Sequence, residues 1–458
     1  MTDIVFSFDT EDLANIAGFD GILRTAEILR KHNVRGCFQV VGRLAELLEK
    51  HGRQDVIEAL KYHEIDSHSL GHSLHPTINE CTDLEDFDEA YRILEAREKE
   101  TLAILKRIFG VDRVYSFCPP GNSVSYVGHY LYADFGVDLY AGDYVYDSVR
   151  RRPTFFCNVL CTDYDMCLEG YLMERDKKMW PLRLRTEEEI RATFDEIAKT
   201  KDLHICYHHP SMSMYNEWWD MVNCKGENAP ADQWRESRRN PIEMTEGYYK
   251  NFDFLVGMLK ADPRFRLTTY ERLGNQYCRE RRNIRLADLP ALKAQLDEEL
   301  FPVTLPHSYC LSDIFHACRA FLTGAENYEC GKVKGFLEEP FAITAPVTVT
   351  KAEMIQSAKR LASEGWLPRS IIVGSEILGT ADWLRAALAV LTGEETVTVT
   401  PGPWQIDLDQ FPKLRDQDLK LKWVDTKDLM DNHLSRRARL QTWTIRLPEG
   451  TDRKVFAD

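Results

Sequence analysis

The chain has 458 residues, 44% hydrophobic and 29% charged, a composition that fits a globular protein with two or three domains and excludes a disordered one. Its formal net charge of −15 excludes a general nucleic-acid binder, because nothing in that balance offsets phosphate repulsion. No run of about eighteen apolar residues could span a bilayer, and the opening residues carry no signal core, so a cytoplasmic protein is expected.

In chain order, Ile4 to Phe8 reads as a strand, Gly21 to His32 as a helix and Val34 to Val41 as a second strand. Leu44 to Tyr62 reads as one helix, and Glu64-Ile65 leads into a histidine-rich segment. A long amphipathic helix is expected over Leu84 to Phe109, then a short strand at Val114 to Phe117 ended by Pro119-Pro120-Gly121. Further strands are expected at Leu139–Tyr140 and Leu203–Tyr207, with helices at Glu187–Ala198 and Tyr248–Lys260. Repeated strand-helix units imply a parallel sheet or barrel whose site lies at the C-terminal ends of the strands.

Arg279 to Glu299 reads as a charged, helical connection, which divides the chain into domains at 1–280 and 281–458. The second, smaller domain reads as α+β. Its helices are expected at Leu311–Leu322, Lys351–Ser363 and Ala381–Leu391, and its strands at Ile371–Val373, Thr396–Val399 and Gln441–Leu447. The starts Leu311-Ser312-Asp313-Ile314 and Gly379-Thr380-Ala381-Asp382 hint at an internal repeat. Twelve scattered cysteines read as reduced core thiols, and Cys157, Cys161 and Cys167 lack the spacing of a structural zinc site.

The chemistry concentrates in the first domain. Phe8-Asp9-Thr10-Glu11-Asp12 follows a buried strand, and His68-Ser69-Leu70-Gly71-His72 sets two imidazoles four residues apart. Acids and two imidazoles at the mouth of such a fold suit a divalent cation that activates water, hence a hydrolase. Asp9 would be the base, Glu11 or Asp12 the carboxylate ligand, and His68 with His72 would complete a facial set with open positions. His75 could be a third imidazole ligand but fits the loop rim better. Zinc is the first expectation for the cation, with cobalt, nickel, iron or manganese also fitting the ligand set. Late in the domain Tyr207-His208-His209-Pro210 offers a general acid, and two neighbours on an extended strand point to opposite faces, so only one can serve.

Taken in order, these motifs resemble the polysaccharide deacetylase family, the NodB-homology or carbohydrate esterase 4 hydrolases, over roughly residues 1 to 275. The opening motif is similar to the family's Asp-x-Glu-Asp variant, and Val34 to Gly42 resembles its second strand. His63 to His72 looks like its metal-histidine motif, and Phe117 to Ser123 stands where the family has Arg-x-Pro. Tyr146-Asp147-Ser148 resembles a substrate-groove motif, and His208-His209-Pro210 the late histidine motif. The resemblance implies a distorted (β/α) barrel and metal-dependent removal of acetyl from an N-acetylated saccharide or glycoconjugate. It favours Glu11 over Asp12 as ligand and His209 over His208 as acid, and it implies that Pro119 and Tyr146 contact substrate.

The pattern breaks at Cys118, which stands where the family arginine would orient the base. A neutral thiol cannot make the bidentate ion pair that aims a carboxylate. Arg151 or Arg152 could substitute, Asp9 could be held by other groups, or the site could bind without catalysing. Trp218 and Trp219 are candidates for stacking on sugar rings. Met354 to Leu391 faintly resembles pseudomurein-binding repeats, against the alternative of a partner-binding or homo-oligomerisation module. The competing functional readings are an amide hydrolase on a non-sugar substrate and a non-catalytic carbohydrate-binding protein.

Overall fold

The computed structural model describes residues 1–458 except 124, 143–144, 147–149, 164–167, 225, 280, 417–423, 427–428, 430–432, 450 and 452–458. Tyr144, Asp147, Ser148 and Cys167 therefore lie outside the described residues. The chain divides into two compact units. The first comprises 1–152, 159–278 and 418–434, the second 153–158, 279–417 and 435–458.

The first unit is mixed α/β around a parallel sheet. Its strands are β1 (Thr2–Thr10), β2 (Cys37–Val40), β3 (Glu64–Ser67), β4 (Ser116–Phe117), β5 (Leu139–Ala141), β6 (Val159–Thr162), β7 (Leu203–His208) and β8 (Phe265–Thr268). They pair in the order β7-β1-β2-β3-β4-β5-β6, every neighbour parallel. β1 is central: β7 runs along one edge, while β8 pairs with Thr2–Val5 and β2 with Ser7–Thr10. Among the described residues β6 and β7 are not paired with each other, so closure into a barrel is not part of this sheet.

Strand alternation sorts the side chains into two faces. The registers Ser7↔Cys37, Asp9↔Gln39, Gln39↔Asp66 and Ser7↔Tyr207 put the polar residues on one face. There Ser7 Oγ bonds Gln39 Oε1 (3.1 Å), Gln39 Nε2 donates to Ser116 Oγ (3.2 Å), and Asp66 Oδ1 accepts from the Tyr115 and Ser116 amides. The opposite face is mainly aromatic: Phe8 stacks on Phe38 at 4.7 Å and Phe117 on Tyr132 at 3.8 Å. Truncating the fully buried Phe38 to alanine should cost about 3–5 kcal/mol, read as a lower urea midpoint with unchanged slope.

Helix α1 (Gly18–Lys31) follows β1. The stretch expected as one helix from Leu44 to Tyr62 is two, α2 (Gly42–Lys50) and α3 (Gln54–Leu60), separated at Gly52, whose φ of +65° is left-handed. Helix α4 (Phe87–Phe109) starts where Asp86 accepts from the Glu89 amide and stops at left-handed Gly110. Two further helices, α5 (Glu187–Thr200) and α6 (Ile242–Ala261), extend beyond the expected limits. No helix among the described residues is long and apolar enough to cross a membrane.

The second unit holds α7 (Leu311–Leu322) and α8 (Thr380–Leu391), which meet where Phe315 packs on Trp383 at 5.0 Å. The hairpin Ser370–Val373/Glu376–Gly379 and the pair Val347–Thr350/Thr396–Val399 complete it, together with a short ladder of Asn283–Arg285 against Asn327–Glu329. The stretch Arg279–Glu299 is thus not wholly helical: the strand at Asn283–Arg285 precedes a helix at Leu289–Glu298. The final strand expected over Gln441–Leu447 is instead a 3-10 turn, Thr442–Thr444, with only Arg446 bridging antiparallel to Phe155.

Candidate active site

Four parallel strands deliver the candidate residues to one edge of the sheet. Asp9 is the penultimate residue of β1, and Glu11 follows its end. His68 follows β3, Cys118 follows β4, and His209 follows β7. Asp9, Glu11, His68 and His72 are each at most 5% exposed.

The histidine segment is a turn and not a helix, with left-handed backbone at Ser69 (φ 67°) and His72 (φ 50°). Non-glycine residues held there carry backbone strain, which proteins keep mostly at functional sites. The turn is strapped down because the Ser69 and Leu70 carbonyls accept from the Gly42 and Arg43 amides, the orphan donors that open α2. His72 is thereby brought back beside His68, with ring centroids 4.9 Å apart.

Both imidazoles aim at one carboxylate oxygen: Glu11 Oε2 lies 2.9 Å from His68 Nε2 and 2.8 Å from His72 Nε2. Their outer nitrogens have definite partners. His68 Nδ1 lies 2.7 Å from the Cys118 carbonyl oxygen, which can only accept, so Nδ1 bears hydrogen. Ser73 Oγ donates to Asp220 Oδ2 (2.6 Å) and so accepts from His72 Nδ1 (2.6 Å). With Nδ1 anchored outward, each ring turns Nε2 inward, where it donates to Glu11 in the cation-free protein and would offer its lone pair once a cation displaced that hydrogen. Glu11, His68 and His72 thus fit a divalent cation by donor type, tautomer and convergence. Ser73→Ala or Asp220→Asn, which disturb only the outer anchor, should weaken zinc binding about 10- to 100-fold by competition with a chelating dye.

Electrostatics of the cation-free group agree. Burial alone would raise Glu11, but the charges of His72 and His209 and bonds from His68 and His72 hold it well below the ordinary carboxylate range. Burial pulls His68 down, yet the Asp9 charge and the Glu11 bond outweigh it and lift it to about 9. Positive charge is what this pocket of carboxylates attracts.

Asp12, the alternative carboxylate, turns away. Its Oδ1 accepts from the Ala14 and Asn15 amides (3.1 and 2.9 Å) and its Oδ2 from Asn15 Nδ2 (2.7 Å), and burial raises its pKa to about 7. His75 is likewise elsewhere, bonded through Nδ1 to Glu80 at 2.9 Å.

Asp9 lies beside the group. Its Oδ2 accepts from the Tyr207 hydroxyl (2.6 Å) and the Cys118 thiol (3.5 Å) and sits 3.4 Å from His68 Nε2, while its Oδ1 is buried without a partner. Burial and the adjacent Asp9 push the Cys118 thiol well above its usual range, so it stays protonated and is no nucleophile. Arg151 and Arg152 do not replace the missing arginine: they pair with Asp163 (2.8 Å) and Asp202 (2.7 Å). No lysine or arginine among the described residues pairs with Asp9.

Of the two late histidines, His209 faces the group, its Nε2 3.8 Å from Asp9 Oδ2 and 3.9 Å from Glu11 Oε1. His208, in register with Phe8, faces the other side of the sheet, stacks on Tyr248 and lies 2.9 Å from Glu169 Oε1. Part-exposed Trp218 packs edge-on to His209 at 4.3 Å, whereas Trp219 is buried behind His72. Pro119 is buried directly after Cys118 and so borders the site. Tyr146 is buried beneath the Arg151 guanidinium (4.8 Å).

Tyr207, Ser73 and Asp220 are site residues that sequence reasoning missed. Tyr207 was within reach of strand periodicity, because it shares a face with His209 two positions on. Asp220 carried no such signal, since only folding brings it to Ser73.

No family model matches the chain, and no curated protein matches it. Among solved structures, it is similar to a Mycobacterium smegmatis protein described as a polysaccharide deacetylase (15% identity, TM-score 0.39, 60% of this chain and 89% of that one). It is also similar to a 4-alpha-glucanotransferase from Thermococcus litoralis (12%, TM-score 0.41, 60% and 40%). A third is a mutant of a carbohydrate esterase 4 pseudoenzyme (22%, TM-score 0.23, 30% and 44%). The chain spans less than half the length of the latter two. At TM-scores below 0.5 these overlaps are partial, and the chemistry of the site stands on its own residues.

Proposed function

We propose that the first unit is a metal-dependent hydrolase that removes acetyl from an N-acetylated saccharide or glycoconjugate. The observation that carries this reading is the convergence of two anchored imidazoles on Glu11 beside a carboxylate and a third imidazole. Glu11, His68 and His72 would hold the cation, which when bound supplies Lewis acidity toward a water and an amide carbonyl. Asp9 accepts the proton of the attacking water at Oδ1, the oxygen left without a partner. His209, its Nε2 3.8 Å from Asp9 Oδ2, gives its proton to the departing amine. Burial of all these groups excludes bulk water and strengthens each charge interaction. Trp218, at the exposed margin beside His209, offers a ring for a sugar face.

The second unit is proposed as an accessory interaction domain, including self-association. In support, Ile372 and Ile377 are opposed across its hairpin and are 59% and 51% exposed. A cytoplasmic location is proposed with it, on the scatter of twelve cysteines through a large chain.

Acetate release from N-acetylglucosamine, chitopentaose and small non-sugar amides, after loading with zinc, cobalt, nickel or manganese, tests the reading. Release from the sugars alone is expected. Release only from the small amides would move the substrate class, and stoichiometric metal without turnover on any of them would make this a binding protein.

A further inference from the structure

The proposed base needs a group to aim it, and the residue at the expected position cannot do so. Cys118 Sγ is a weak neutral donor 3.5 Å from Asp9 Oδ2. The Tyr207 hydroxyl lies 2.6 Å from that same oxygen and 2.8 Å from His209 Nε2. A phenol has one proton, and a carboxylate can only accept, so Tyr207 donates to Asp9 and its oxygen accepts from His209 Nε2. The result is a three-membered line, His209 to Tyr207 to Asp9, with one hydroxyl between the two groups that handle protons.

We propose that Tyr207 is a positioning residue that takes over the aiming of Asp9 and couples it to His209. The assignment rests on the deacetylase reading above. The backbone dictates it: Tyr207 lies opposite Ser7 in the β1/β7 register, so its side chain shares the face of Asp9. Its ring meets that of His209 nearly at right angles (80°, centroids 4.9 Å), which leaves the hydroxyl at the imidazole edge. With Oδ2 engaged, Oδ1 of Asp9 is left for water, and His209 Nε2 is held toward Asp9 and Glu11. The tyrosine thus bonds both proton-handling groups, whereas the proposed metal ligands are Glu11, His68 and His72, so metal loading and positioning are read separately.

The test is Tyr207→Phe in the full-length, zinc-loaded chain with chitopentaose. Loss of a hydrogen bond to a charged buried group should lower kcat about 10- to 100-fold, with KM and zinc stoichiometry unchanged. Ring-fluorinated tyrosines at position 207 should change kcat in step with phenol acidity, which a merely structural ring would not do. Unchanged kcat in Tyr207→Phe overturns the proposal.

A second readout needs no turnover. Proton NMR of the zinc-loaded chain should show a protected Tyr207 hydroxyl proton with a cross-peak to the His209 ring, lost in Tyr207→Phe. Absence of that proton from the wild-type spectrum also overturns the proposal. Its presence in a chain that releases no acetate would uphold the Tyr207 coupling and sink the deacetylase reading instead.

Discussion

Asp9→Asn should lower the rate of acetate release about 1000-fold, within the 10²–10⁴ range of general acid–base groups, while the chain keeps its metal. Asparagine is the same size, and its side-chain carbonyl can still accept the Tyr207 hydroxyl, so packing around a residue 3% exposed is preserved. What is lost is the ability to take a proton. Glu11, His68 and His72 are untouched, so metal per chain, measured by plasma mass spectrometry, should match the wild type. Residual activity above about a tenth of wild type would remove Asp9 from the role of base.

His68→Ala should have the opposite signature: metal is lost, and with it activity. Disturbing an outer anchor of a ligating histidine costs about 10- to 100-fold in affinity, so removing the ligand should cost more than about 100-fold. The same change leaves Glu11 and Asp9 buried without their shared imidazole, and breaking a buried pair destabilises by about 3–5 kcal/mol. Calorimetric zinc titration and urea unfolding of the cation-free chain read the two effects separately. Should His68→Ala be too unstable to handle, His72→Ala removes a ligand that stands farther from Asp9. Stoichiometric zinc in either variant would show that the ligand set is wrong.

Much of this site was legible because strand ends announce themselves. An apolar run followed by Asp9-Thr10-Glu11, or by the two late histidines, marks a buried strand opening into a loop, and parallel topology collects such ends on one edge. The choice between His208 and His209 came from the β1/β7 register, which sets Phe8 beside His208 and turns His209 the other way. Asp12 stood as the fallback to Glu11 because a sequence does not tell which of two neighbouring acids will cap its own turn. Asn15 binds both Asp12 oxygens, which turns that carboxylate away from the two imidazoles.

The helix forecast over Leu44–Tyr62 failed at Gly52, where periodicity on both sides hid a single left-handed residue. The arginine search failed for a different reason. Arg151 and Arg152 were close in the chain to a groove motif, yet Asp163 and Asp202 claim them. Ion pairs form between residues the fold brings together, whatever their spacing along the chain.

The sequence alone determined the period-two pattern that makes parallel strands, the chemical types of the groups at their ends, and hence a site of carboxylates and imidazoles. Tertiary structure decided which of those groups meet, what anchors their outer nitrogens, and that the Tyr207 hydroxyl bonds Asp9. The division has a physical cause: strand periodicity and side-chain chemistry are properties of the local chain. Convergence within hydrogen-bond distance depends on register and turn geometry between segments up to about 200 residues apart, such as Asp9 and Tyr207.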